Sequence, residues 1–371
     1  MSTTTQNRFS SMGSYPEDDV TFLLKDLSGV MIERGTEDRE EAIQSGVHYS
    51  EMLPIEYQPS SEYMDLYHQS LNENASKLAI AVGVVAEQIV QGKGNQAVLV
   101  SLARAGTPIG ILIKRYLYFA HGFSVPHYSV SIIRGKGIDT NAIRFIMDQH
   151  PEGKIQFIDG WTGKGAITRE LTSSCKQLRE EYGYDIDEKL AVLADPGYCA
   201  DIYGTREDFL IPSACLNSTV SGLVSRTVHN KEFIKEGDFH GAKYYRHLEN
   251  EDVSNEFIGR VVAEFPKVRE KIQEELSFVK QSSSVPDWRG LEEVKQIQAK
   301  FGIESMNMIK PGVGETTRVL LRRVPWKILV KDKNDEKLKH IILLAEDRGV
   351  PVLEYQSMSY SCCGLIKTIR S

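Results

Sequence analysis

The stretch IQFIDGWTGKGAITREL, residues 155–171, ends an apolar run on Asp159, then supplies Gly160, Gly163 and Gly165 before a helix-patterned segment. These residue types suit a phosphate. Glycines let consecutive N–H groups converge on an anion, a helix start adds partial positive charge, and Thr162, Lys164 and Thr168 add donors. Asp159 is placed to hold ribose hydroxyls or a magnesium ion. The plainer alternative is a tight strand-to-helix turn with a helix cap. A Walker A loop is excluded, because Lys164 is followed by Gly165 and the spacing from Gly160 is too short.

Two more loops place cations after strand-like runs. LARAGTPIG at 102–110 carries Arg104, Ala105 and Gly106, and SIIRGKGID at 131–139 carries Arg134 and Lys136. Either arginine alone reads as a surface charge, but three anion-suited loops after three strands match the ligand-binding edge of an open α/β sheet. Further on, Ile211 to Ser225 contains no charged residue. That run reads as a hood over a ligand, with Arg206, Glu207, Asn217, Ser218 and Thr219 as hydrogen-bonding residues, or as an irregular core segment. Cys215 with His229 or His240 would be the minimum nucleophile and base of a cysteine protease, although free cysteines are more often small buried hydrophobes. The histidines show no zinc-ligand spacing, and the five cysteines contain no C-x-x-C pair, so reduced thiols are expected.

These loops need elements to hold them. SKLAIAVGVVAEQIVQ has helical periodicity over 76–91; strands are expected at 97–102, 127–133, 154–159 and 189–196, with helices at 108–120, 140–150 and 166–183. That alternation predicts βαβ units and a parallel sheet with helices on both faces. After a charged helical pattern at 252–280 and the linker-like QSSSVPDW, a smaller α/β/α sandwich is expected. It comprises a helix after Gly312, a strand from Pro325, a helix over 335–349, a strand at VPVLEY and a last short helix in SMSYSCCGLIKTI.

Charge separates the two parts. The chain of 371 residues has net charge -7, yet residues 300–371 hold 13 Lys plus Arg against 8 Asp plus Glu, leaving 31 against 43 for the rest. The tail is therefore basic and the remainder acidic. In the tail, Lys310, the amides from Gly312 through Gly314 and Glu315 to Thr316, and Arg318, Arg322 and Arg323 would offer phosphates a cationic edge; the alternative is a solvated basic helix. The hydrophobic share of 41%, with no apolar run near 18 residues, argues for a folded chain without a membrane span. The polar N-terminus lacks a secretory signal, so a cytoplasmic location is expected.

FIDGWTGKGAITREL and LARAGTPIG together resemble the phosphoribosyl diphosphate and pyrophosphate loops of type I phosphoribosyltransferases. The resemblance implies a type I phosphoribosyltransferase-like fold that uses phosphoribosyl diphosphate and Mg. Arg104 and the backbone would stabilise the pyrophosphate leaving group. Asp159 would position the ribose through an oxocarbenium-like state. KPGVGETTRVLLRRVPWKILV resembles the Pelota and kink-turn RNA-binding superfamily, with Gly312, Glu315 and Arg318 at matching places, which implies RNA as partner. The combination resembles a bacterial family linked to tellurite-resistance and stress operons and also labelled cysteine protease StiP. The expected layout is a disordered 1–15, a phosphoribosyltransferase-like domain at 16–265, a helical linker at 266–299 and a Pelota-like domain at 300–371. A homodimer is also allowed for. The leading expectation is phosphoribosyl transfer with RNA binding; the alternatives are a non-catalytic nucleotide-sensing RNA binder and a cysteine protease using Cys215.

Overall fold

The computed structural model describes residues 12–35, 38, 42, 46–56, 58–282 and 285–366. Its centre is a sheet of β1 (Thr21–Phe22), β2 (Ala97–Ala103), β3 (His127–Ile133), β4 (Gly137–Ile138), β5 (Lys154–Trp161), β6 (Leu190–Ala194) and β7 (Ile202–Thr205). The spatial order is β1-β3-β2-β5-β6-β7, all parallel, with β4 antiparallel on β3. Six of the seven residues of β2 are buried, as a strand covered on both faces requires.

Successive strands step from β2 to β3 on one side and from β5 through β6 to β7 on the other. Right-handed crossovers therefore send α2 (Gly106–His121) and α4 (Ala166–Tyr182) to opposite faces and leave a crevice between the carboxyl ends of β2 and β5. Arg104 and Asp159 lie at those two strand ends. Gly106 lets α2 start there, since a Cβ would stand 2.4 Å from the Ile158 carbonyl oxygen.

The helix expected at 76–91 is the second half of α1 (Ser61–Lys93), whose apolar face continues backwards through Ala75, Leu71 and Tyr67. α1 and α2 pack with α5 (Ser254–Val262), and α1 also packs with α6 (Arg269–Ser282). Of the stretch expected to be disordered, residues 12–15 are described, and Met12 and Tyr15 are buried in the main core, with the Tyr15 hydroxyl donating to Val220 O. No helix of the described residues is long and apolar enough to cross a membrane.

The C-terminal unit runs from α7 (Arg289–Phe301) through β8 (Ile309–Pro311), α8 (Val313–Arg322), β9 (Pro325–Val330), α9 (Lys339–Asp347) and β10 (Val352–Glu354) to β11 (Cys362–Ile366). Its sheet order is β8-β11-β9-β10. Here one expectation is corrected: SMSYSCCGLIKTI ends in a central strand, not a helix. β11 is antiparallel to both neighbours, and all five of its residues are buried. Gly364 brings α8 close, because a Cβ there would lie 3.1 Å from Val319. Val294 and Ile297 of α7 belong to this unit's own core with Leu329, Cys363 and Leu365, so α7 packs inside the unit instead of acting as a linker. The other face of the sheet, with Ile328, Val330 and Cys362, and Val313 and Leu320 of α8, joins the core of the first unit.

Candidate functional site

The turn after β5 folds as the glycines dictate. Gly165 takes φ 69° at the start of α4, and its missing side chain admits the Trp288 ring, which a Cβ would meet at 2.4 Å. The C-terminal unit packs against the turn. The Tyr360 hydroxyl donates to Gly163 O at 3.0 Å, and Lys164 Nζ donates to Ile309 O at 3.2 Å and also to Met306 O. Burial and the nearby Lys310 charge push the Lys164 ammonium down to about 8. Thr162 is buried and donates to Asp195, and Thr168 is buried with its hydroxyl 3.9 Å from Cys199 Sγ. Gly163 and Lys164 thereby hold the two units together, Thr162 and Thr168 are tied within the first unit, and residues 162–168 line a cavity of about 200 Å³.

The crevice beside the turn is open. A cavity of about 430 Å³ is lined by Arg104, Asp159, Asn217, Arg226, Arg318 and Arg323, with Ala105 on its wall. A smaller one of about 200 Å³ shares Asp159 and Arg318 with it and adds Arg134, Lys310 and Glu315. A third, about 630 Å³, shares Arg104, Arg318 and Arg323 and has an apolar wall including Ile55 and Tyr63. Arg104 donates to Val224 O at 3.1 Å and lies 4.0 Å from Glu56; burial lowers its guanidinium below the ordinary value while Glu56 opposes that. Arg318 donates to Ala214 O and to Glu315 at 3.1 Å, and its guanidinium stacks over Trp161. Burial tends to raise the Glu315 carboxyl, but Arg318 and Lys310 outweigh it and hold the group below its usual range. Burial also pushes Asp159 up to about 7, against the hydrogen bond from Gly160 N–H and the charge of Arg318. A site of this composition attracts anions.

Other expected site residues are placed elsewhere. Lys136 is tied to Glu51 and His229 O at 3.1 Å each. Arg134 donates its N–H to the Tyr49 hydroxyl and stacks over the Tyr49 ring, keeping its guanidinium at the crevice edge. Arg206 pairs with Asp195 between Tyr198 and Tyr203, where burial pulls it down to about 10. Glu207 bridges Lys77 and Lys337 at 2.7 and 2.5 Å. Neither meets Asn217, Ser218 and Thr219, of which Ser218 donates twice to Glu56 and Thr219 is buried. At the start of α8, Val313 N–H donates to Asp208 at 2.9 Å and Thr316 N–H to Gly312 O. Gly314 packs on Ala214 and Trp161, and Thr316 is fully buried. The Arg322 side chain lies outside the described residues. Arg226 and Glu56 were missed by sequence reasoning, although Arg226 is the first charge after the neutral run and Glu56 gave no signal at all.

Cys215 is fully buried where the 212–214 turn packs on α1. His229 and His240 stack on each other, with His240 against Ser131 of β3 and pushed down to about 3 by burial. All five cysteines are buried and none is in a disulfide. Burial raises Cys175, Cys199, Cys362 and Cys363 above the ordinary thiol range.

A family model described as tellurite-like stress resistance cysteine protease StiP matches residues 13–262, and one described as PELOTA RNA binding domain matches residues 288–368. A protein of Acinetobacter baylyi (strain ATCC 33305 / BD413 / ADP1) named cysteine protease StiP is 34% identical over 352 residues, covering 92% of this chain and 89% of the relative. These matches overturn the expectation of a phosphoribosyltransferase, because both the family and the relative are named for a hydrolase and not for a glycosyl transfer. The donor set does not suit magnesium either. Asp159 is a carboxyl that burial keeps protonated up to about pH 7, facing Arg318, and the described residues contain no group of three or more metal-ligating side chains.

Proposed function

The chain belongs to the tellurite-like stress resistance cysteine protease StiP family, and we propose that this member binds RNA in the arginine-lined crevice between its parallel sheet and its C-terminal unit. One observation carries the reading: Arg104 and Arg226 from the first unit face Arg318, Arg323 and Lys310 from the second across connected cavities. The match of that second unit to an RNA-binding family supplies the ligand class. Val313 N–H at the start of α8 is taken by Asp208, and the cationic side chains lining the crevice are the groups that meet phosphates in this reading. The experiment is a salt titration of RNA binding by the full chain. Wild type is expected to lose affinity steeply with salt, and Arg318→Gln with Arg323→Gln to flatten the log–log slope by about 1.4 for a single strand. Equal slopes overturn the reading.

Peptide hydrolysis is a second reading, favoured by the names of the family and the relative. It needs a thiolate with a base in reach. Thiol labelling of the folded chain combined with peptide turnover tests it: one labelled cysteine whose alanine variant abolishes turnover establishes the reading. Five thiols that react only after unfolding remove it.

A further inference from the structure

Beyond the crevice lies a fourth cavity, about 520 Å³, that no part of the reading above uses. It is lined by His48, Tyr49, Arg134, Lys164, Arg169 and Asn307, among others. Its one carboxylate, Glu170, is taken up by the amides of Gly135 and Gly137 at 2.8 and 2.9 Å. Arg134, Lys164 and Arg169 thus stand around it as an excess of positive charge, and the exposed Arg169 is held in place by its bond to Lys164 O and its position over the Trp288 ring. The cavity adjoins the crevice, because Arg134, Lys164 and Ala166 line both it and the 200 Å³ cavity. Tyr49 connects the two regions, with its ring between the guanidiniums of Arg134 at 5.5 Å and Arg226 at 5.3 Å.

We propose that these connected cavities form one channel along the seam of the two units, and that it threads single-stranded RNA from the crevice to a second phosphate subsite at Arg169 and Arg134. The proposal rests on the RNA reading above and adds the strand class and the path. A row of cations following a groove, with aromatic faces beside it, is what a sequence-tolerant single-strand track requires. An A-form duplex carries its phosphates on two outer strands and does not enter enclosed spaces of a few hundred Å³.

The test compares a fluorescent trinucleotide with a nonanucleotide of the same base, by anisotropy on the full chain. The variants are Arg169→Gln and Arg169→Glu, whose fold is checked by circular dichroism. Wild type is expected to bind the nonamer more tightly than the trimer. Arg169→Gln is expected to weaken the nonamer by about tenfold and Arg169→Glu by more, while trimer binding stays unchanged. An unlabelled duplex of the same length is expected not to compete. Undiminished nonamer binding by both variants, or competition by the duplex equal to that of the single strand, overturns the channel while leaving the crevice intact. Failure of wild type to bind either oligonucleotide overturns the crevice reading itself, and the channel with it.

Discussion

Asp159 is the residue on which chemistry and position diverge most. Its place near the end of an apolar strand was legible, because the β-rich run IQFI is followed by glycines, although the strand continues through Trp161 before it turns. Its role was not. Burial raises the carboxyl to about 7 beside Arg318, so the group adds a negative charge to an anion-attracting crevice only above neutrality. RNA affinity is therefore expected to fall as pH rises from 6 to 8, and Asp159→Asn to fall less, with the remainder coming from Lys164 at about 8; a fluorescence titration at three pH values checks it. The sign for stability follows the same shift. A carboxyl whose folded value exceeds its unfolded one contributes stability at low pH that is lost as pH rises through about 7. Asp159→Asn is thus expected to be more stable than wild type at pH 8, by about 1–3 kcal/mol, with the difference shrinking at pH 5. Urea melts at the two pH values measure it. Lys164 shows the complementary lesson: a lysine in a glycine turn suits phosphate by type, but the carbonyls of Met306 and Ile309 hold it, and nothing local to residues 160–165 encodes those partners.

At the scale of elements, strong periodicity located α2, β3, β5 and α4 to within two residues of their bounds, whereas the last segment was misread as a helix. SCCGLI has no alternation because β11 lies between two strands and is covered on both faces, and a fully buried short strand has no period to distinguish it from a buried helix. α8 depends on a residue of another unit for its start. Asp208 accepts from Val313 N–H at 2.9 Å and from Ser361 N–H at 2.8 Å, fastening the helix and the approach to β11 to the first unit at once. Asp208→Ala leaves both buried donors unpaired and is expected to cost about 2–4 kcal/mol, with faster proteolysis between 285 and 366 than elsewhere. Uniform protection from protease would show that the cap does not hold this unit. A methyl group at Gly106 would test the crevice wall in the same way: at 2.4 Å from Ile158 O it must push α2 away from β5, and a loss of about 2–4 kcal/mol in thermal melts is expected.

The whole molecule is two matched families sharing one core. Val313, Leu320, Ile328 and Val330 pack into the same cluster as the central sheet, and Trp288, Tyr360 and Lys164 close the seam. Calorimetry is expected to give a single unfolding transition for the full chain, and removal of residues 285–371 to lower the melting temperature of what remains, since it strips apolar surface from that core. Two separate transitions would contradict this. From its own letters the chain determined an alternating parallel sheet, a basic C-terminal unit and the cations at three strand ends, because periodicity and charge are local properties. Only the tertiary structure decided that the second unit packs against the glycine turn, that Cys215 is buried beside α1, and that Arg226 and Glu56 complete the crevice. Those outcomes depend on which surfaces meet across 100 residues or more of chain, and packing of that range leaves no trace in spacing or composition.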